Sequence, residues 1–152
     1  MLLQEGKICR HLYFLEKGLL RYYFDKEGLE ITKYFTTAPY MFTPQTSFSQ
    51  TIPATESIQA IENSIVWMMK REDAYRLLEI PSWSEFIRKL IQQVQIYTEE
   101  ILRDLQTETA ENRYRSMLIN EPEMVQRIPL KYLASYLGIA PQSLSRIRKK
   151  LT

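Results

Sequence analysis

Cysteine and histidine are almost missing from this sequence of 152 residues: one of each is present, Cys9 and His11. A lone thiol excludes an internal disulfide framework and a multi-cysteine metal cluster. Around the lone histidine the sequence offers no plausible His-based triad and no metal-ligand spacing. His11 stands beside Leu12 in a strand-like run and reads as a sheet residue rather than a haem ligand. Glycine is scarce too, with four residues, and none forms a Gly-rich phosphate loop. No apolar run approaches the roughly 18 residues of a membrane-spanning helix. The opening Met1–Lys7 lacks the cationic start and long apolar core of a secretory signal, so a reducing cytoplasm is the expected location. The carboxylate pairs Glu99–Glu100 and Glu121/Glu123 fall on a helix face and a loop, where they read as solvated charge. No enzyme and no metal site are expected.

Charge of one sign is missing from two stretches. From Tyr34 to Met69 there is no Lys or Arg. Residues 126–152 hold no Asp or Glu, but carry Arg127, Lys131, Arg146, Arg148, Lys149 and Lys150. The chain's net charge of +2 therefore divides into +6 at the C-terminal end and −4 elsewhere. Such asymmetry fits a basic end that meets a polyanion. It also fits a solvated helix end favoured by the helix dipole.

What is present is an ordinary globular composition, 45% apolar and 25% charged. Residues 1–69 look β-rich. Leu12–Leu15, Leu19–Phe24 and Leu29–Phe35 are aromatic and β-branched runs, parted by Gly18 and by the turn Asp25–Gly28. A looser stretch, 36–55, holds Pro39, Pro44 and Pro53. Strands are expected again at 57–61 and 65–69. Lys70 to Glu79 reads as a short helix, and Ser82 as the cap of a long helix beginning near Trp83. Along that helix Trp83, Ile87, Leu90, Val94, Tyr97, Ile101 and Leu105 recur every three or four residues, close to a coiled-coil seam. Phe86, Ile91 and Leu102 give a second apolar face, so one face is expected to meet the sheet and the other a second subunit. An amphipathic helix packed only on its own barrel is the alternative. A helix at 109–120 ends at Glu121-Pro122, and two short helices follow near 130–137 and 141–151.

The last two carry the strongest pattern. Leu133 and Leu137 face inward, and Ala134 is small where a second helix must cross closely. Gly138 suits the left-handed end of the first helix. Ile139 fills the gap under the turn, and Pro141 suits the first turn of the next helix. Leu144, Ile147 and Leu151 make that helix's buried side. Gln142, Ser143, Arg146, Lys149 and Lys150 make its outer side. A glutamine can pair bidentately with adenine and an arginine with guanine, while lysines suit phosphates. This is the pattern of a DNA-binding helix-turn-helix; a generic αα-hairpin with a charged outer face is the alternative.

Taken together, Ile128 through Lys150, the approach Ala110-Glu111-Asn112-Arg113-Tyr114, the long helix and the segment Tyr13 to Arg21 resemble the cyclic-AMP receptor protein / fumarate-nitrate regulator (Crp/Fnr) family. The resemblance runs over essentially the whole chain. It implies an α+β fold: a cyclic-nucleotide-binding-like β jelly roll (double-stranded β-helix), a long dimerisation helix and a C-terminal helix-turn-helix. It divides the chain into a sensor at 1–81, the dimerisation helix at 82–106 and a DNA-binding segment at 107–152. It implies a dimer through Ile87, Leu90, Val94, Tyr97 and Ile101, with recognition helices in successive major grooves.

The sequence also departs from that family. Its nucleotide-binding members carry a Gly-Glu pair and, a short way on, an Arg-Ser or Arg-Thr pair. Here Thr43-Pro44 and Ala54-Thr55 take those places, and only Thr55 keeps a matching group. Cyclic nucleotide is therefore not the expected effector. Its iron–sulfur members need several cysteines. Set against the resemblance, the chain is expected to begin inside the barrel and to stop at the recognition helix, without the β-wing of many relatives. No cofactor is expected. A neutral pocket lined by Tyr40, Phe48, Thr55 and either Tyr97 or Thr98 is the expected effector site. Expected partners are double-stranded DNA, a second copy of the chain, RNA polymerase and an unidentified small-molecule effector, with no membrane. The competing reading is a degenerate cyclic-nucleotide-binding-like module that only dimerises or binds proteins.

Overall fold

The computed structural model describes residues 1–151; Thr152, the end of the expected DNA-binding segment, lies outside the described residues. Six strands come first: β1 (His11–Lys17), β2 (Leu19–Lys26), β3 (Leu29–Thr37), β4 (Tyr40–Phe42), then, after helix α1 (Gln45–Gln50), β5 (Ser57–Ala60) and β6 (Ile65–Lys70). Helices α2 (Arg71–Leu77), α3 (Pro81–Thr107), α4 (Ala110–Asn120), α5 (Pro122–Arg127), α6 (Leu130–Leu137) and α7 (Pro141–Leu151) complete the chain. The strands form two antiparallel sheets, ordered β4-β1-β6 and β3-β2-β5. The first ten residues lie along the second sheet through bridges from Leu3 to Ile58 and from Ile8 to Pro53.

Between β1 and β2 the chain crosses from one sheet to the other at Gly18. Its φ is +118°, and a Cβ there would fall 2.0 Å from Ser64 Oγ and 2.8 Å from Ser64 Cα. Both the backbone angle and the space demand glycine. Between the sheets lies one apolar cluster, built on Leu3, Tyr13, Leu15, Leu20, Tyr22 and Phe42. Tyr13 stacks on Phe42 at 5.1 Å, across the register that pairs them.

Alternation in β2 would bury one face and wet the other. Instead Leu19, Leu20, Arg21, Tyr22 and Tyr23 are all buried. Leu20 and Tyr22 face the inter-sheet cluster, while Leu19 joins Phe35 in a second cluster with Tyr114, Val125, Leu133, Leu137 and Leu144 of the helices. The sheet β3-β2-β5 is thus a middle layer, covered by the other sheet on one side and by the C-terminal helices on the other. Burial of Leu19 and Phe35 stabilises that docking by about 1.5–3 kcal/mol each.

Several elements differ from expectation. The stretch 36–55 holds β4 and α1 rather than loop alone. Both are too short to show a period; β4 exists by pairing with β1, and α1 is anchored by buried Ser47 and Phe48. The long helix begins at Pro81 with Ile80 at its N-cap, so Ser82 lies within the first turn and is not the cap. Proline at the first helical position needs no amide hydrogen and starts the helix by itself. Pro122 likewise opens α5, a helix the sequence pattern does not indicate. Thr109 does cap α4, accepting the Asn112 amide at 3.1 Å.

Helix α3 has 27 residues and no buried one. Both of its apolar faces are open, with Val94 41% and Leu102 55% exposed. The expectation that one face covers the chain's own sheet is corrected: the helices that follow take that place. Among the described residues no helix is long and apolar enough to cross a membrane.

Candidate nucleic-acid interface and pocket

Helix α6 ends at Gly138, where φ is +71° and ψ 29°. The Gly138 amide donates to Ser135 O and the Ile139 amide to Ala134 O, both at 3.1 Å. These are the paired bonds of a Schellman motif, and they turn the chain sharply into Pro141 and α7. Ala134 and Leu144 are wholly buried where the two helices meet, with Leu133 and Leu137 beside them. Ile139, Ile147 and Leu151 pack on the same cluster. Every position read from the sequence as inward therefore lies inward.

The outer face of α7 presents Gln142, Arg146 and Lys149 to solvent, with Ser143 half-buried beside them. Lys150 is exposed but engaged: its Nζ lies 2.9 Å from Glu111 of α4. That surface pair is weak and exchanges readily for another anion. Arg148 turns back, its Nε donating to Tyr114 Oη at 3.1 Å. Arg113 of α4 braces the pair, its Nη2 donating to Leu137 O at 2.7 Å. The sequence pattern gives no sign of these braces, because they join residues far apart in the chain.

The expected pocket residues are only partly gathered. Phe48 is buried in the inter-sheet cluster and stacks on Tyr75 at 5.8 Å, so it is a core residue. Thr55 is exposed, and Thr98 Oγ1 donates to Val94 O of its own helix at 2.7 Å. Tyr40 and Tyr97 do influence one another, together with Tyr34, which sequence reading left out of the pocket. Tyr34 stacks on Tyr22 at 4.2 Å, and the buried Glu56 beside them is ion-paired to Lys33. Burial, then Glu56 and the neighbouring phenols Tyr40 and Tyr97, hold the Tyr34 phenol well above its ordinary pKa. Tyr97 is pushed up to about 12, first by burial, then by Tyr136 and Glu121. At the pairs Thr43-Pro44 and Ala54-Thr55, which the resemblance sets against phosphate-binding pairs, Pro44 and Ala54 are buried, and Thr43 Oγ1 donates to His11 O at 3.0 Å. Beside α1 the guanidinium of Arg71 bonds the Thr51 hydroxyl at the helix's C-terminal end.

The sequence model of the cyclic nucleotide-binding domain matches residues 1–80. The chain belongs to the cyclic nucleotide-binding domain family. Solved structures of bacterial regulators share its fold over nearly its whole length, as the resemblance to Crp/Fnr proteins implies. FixK2 from Bradyrhizobium japonicum is 17% identical at a TM-score of 0.80, over 97% of this chain and 78% of that one. The c-di-GMP responsive global regulator CLP of Xanthomonas campestris is 16% identical at 0.70, over 98% and 80%. The catabolite activator protein of Thermus thermophilus is 21% identical at 0.55, over 97% and 71%. At these identities the likeness is one of fold. No curated protein matches the chain.

The phenols set an alkaline limit on the fold. Tyr13 and Tyr34 keep their protons above pH 10 when folded, whereas in the unfolded chain they ionise near 10. Above that pH the unfolded chain binds fewer protons, so stability falls as pH rises. The urea midpoint is expected to be free of this effect up to about pH 9 and to drop steadily from pH 10 towards 12. A midpoint that stays level to pH 11 would contradict the burial of these phenols.

Proposed function

We propose that this chain is a sequence-specific DNA-binding transcriptional regulator of the Crp/Fnr type, acting as a dimer. The observation that carries the reading is α7: an exposed row of Gln142, Arg146 and Lys149 on a helix held at a sharp Gly138 turn, in a stretch without one acidic residue. Ser143 adds a hydroxyl, and Lys150 joins once it leaves Glu111. In this reading α6 and α7 are a helix-turn-helix, residues 1–81 are the sensor, 82–106 the dimerisation helix and 107–152 the DNA-binding segment. Gln142, Ser143 and Arg146 meet base edges in the major groove. Lys149 and Lys150 meet phosphates. The competing reading, a module that dimerises without binding DNA, has no use for this basic face.

Arg146→Ala is expected to cost about 1–3 kcal/mol at a selected operator and to relax preference at one base pair. Lys149→Ala is expected to weaken all sequences equally and to lower the salt slope. Titration of both against the operator and a scrambled duplex decides. Equal weakening of both DNAs by Arg146→Ala would make that residue a phosphate contact only. No binding by the parent chain at low salt would sink the reading itself.

The open stripe Ile87, Leu90, Val94, Tyr97, Ile101 supports pairing of α3 with its copy. With one copy of α7 per subunit, the operator is two-fold, with half-sites about 10 base pairs apart. A Val94→Glu, Ile101→Glu double variant places carboxylates in that seam and is expected to sediment as a monomer. A persistent dimer would move the interface elsewhere.

The effector in this reading is a compound other than cyclic AMP or cyclic GMP, and no cofactor is required. Tyr40 and Tyr97, with Tyr34, favour a neutral aromatic-faced ligand, and the run 34–69 offers no cation to a cyclic phosphate. Calorimetry with both nucleotides is expected to give no tight binding; sub-micromolar affinity for either would refute this.

A further inference from the structure

Arg21 is 1% exposed, in the strand that forms the middle layer. A buried guanidinium is tolerated only where its charge and donors are satisfied. Here its Nε donates to Thr32 Oγ1 at 2.8 Å and its Nη1 to Glu30 Oε2 at 2.6 Å. Its plane lies between two rings, Tyr23 of its own strand at 4.2 Å and Tyr132 of α6 at 3.9 Å. One residue turn further along α6, Ser135 completes the arrangement. Its hydroxyl accepts the Thr32 amide at 2.9 Å and donates to Glu30 O at 3.0 Å. Arg21, Thr32, Glu30 and Ser135 form a closed polar ring between sheet and helix. Tyr132 and Ser135, three apart, are on one face of α6.

Around this ring the contact is apolar, with Leu19 and Phe35 under the helices and Phe35 5.7 Å from Tyr136. Apolar contact is non-directional and tolerates sliding. A guanidinium between two rings and a hydroxyl bonded to two backbone groups tolerate one register only. In that register Gln142, Arg146 and Lys149 face solvent. Arg21 and Thr32 are closed off from solvent by this contact, while the Glu30 carboxylate at its rim still meets water.

We propose that Arg21, with Tyr132 and Ser135, is the latch through which the sensor sheet fixes the orientation of the α6–α7 pair. Arg21 is then a positioning residue for DNA binding, which rests on the function proposed above. The latch makes sensor and recognition helix one rigid body, and a change in β2 or β3 reaches α7 through it.

The Thr32 amide reports the latch directly, because its acceptor is Ser135 on the other side. Tyr132→Leu removes the helix-side ring and leaves the sheet's own contacts to Arg21 in place; Arg21→Gln removes the fork itself. Amide exchange at Thr32 is read by NMR in the full chain, with operator affinity and thermal melting alongside. Both variants are expected to speed Thr32 exchange at least tenfold and to weaken operator binding by about fivefold or more. Amides of Tyr13 and Leu15 in the other sheet are expected to stay protected. Should Arg21→Gln fail to fold, Tyr132→Leu alone decides. Parental protection at Thr32 in Tyr132→Leu overturns the latch, and so does a faster exchange that leaves operator affinity unchanged. If the parent chain binds no DNA while Thr32 exchange responds as expected, the latch stands and only the DNA-binding reading falls.

Discussion

Strand β2 is buried on both faces, and the rest of the architecture follows from that constraint. A strand with Leu20 and Tyr22 on one side and Leu19, Arg21 and Tyr23 on the other cannot end a sandwich; it must lie inside one. The second sheet covers one side. The C-terminal helices cover the other side, α5 and α6 through Val125, Leu133 and Leu137. This leaves α3 with no sheet to cover, which is why its two apolar faces stand open. A 27-residue amphipathic helix without a buried residue gains little from its own chain. The same constraint that docks the helices therefore frees the long helix for a partner.

The C-terminal helix pair was the most legible part of the sequence because its signals are local. Gly138, Pro141 and the apolar spacing of Leu133, Leu137, Leu144 and Ile147 each act within a turn or two, and each lies where its chemistry requires. Strands β1 to β3 were legible for a related reason: long aromatic runs separated by Gly18 and by the Asp25–Gly28 turn. What escaped sequence reading depends on distant partners. Helices α1 and α5 have six residues each and no period of their own. The aromatic content of 34–48 and the missing cation make Phe48 read as a pocket wall, yet Tyr75 claims it for the core. The burial of Arg21 likewise depends on Tyr132, far along the chain.

The chain keeps the frame of its family. Where a cyclic phosphate would need donors and a cation, Pro44 and Ala54 are turned inward. The phenols of Tyr34, Tyr40 and Tyr97 influence one another, and the buried carboxylate of Glu56 is paired with Lys33.

The bond from the Thr32 amide to Ser135 has one more effect. Strand β3 is the outermost strand of its sheet, and an outermost strand offers unpaired amides and carbonyls to any other chain. By lying along β3 and capping it at Thr32 and Glu30, α6 denies that edge to a foreign strand. The helix pair is thus also a guard against aggregation: stripped of it, the sheet would bare both an open edge and the greasy patch of Leu19 and Phe35, the combination from which intermolecular β-stacking grows.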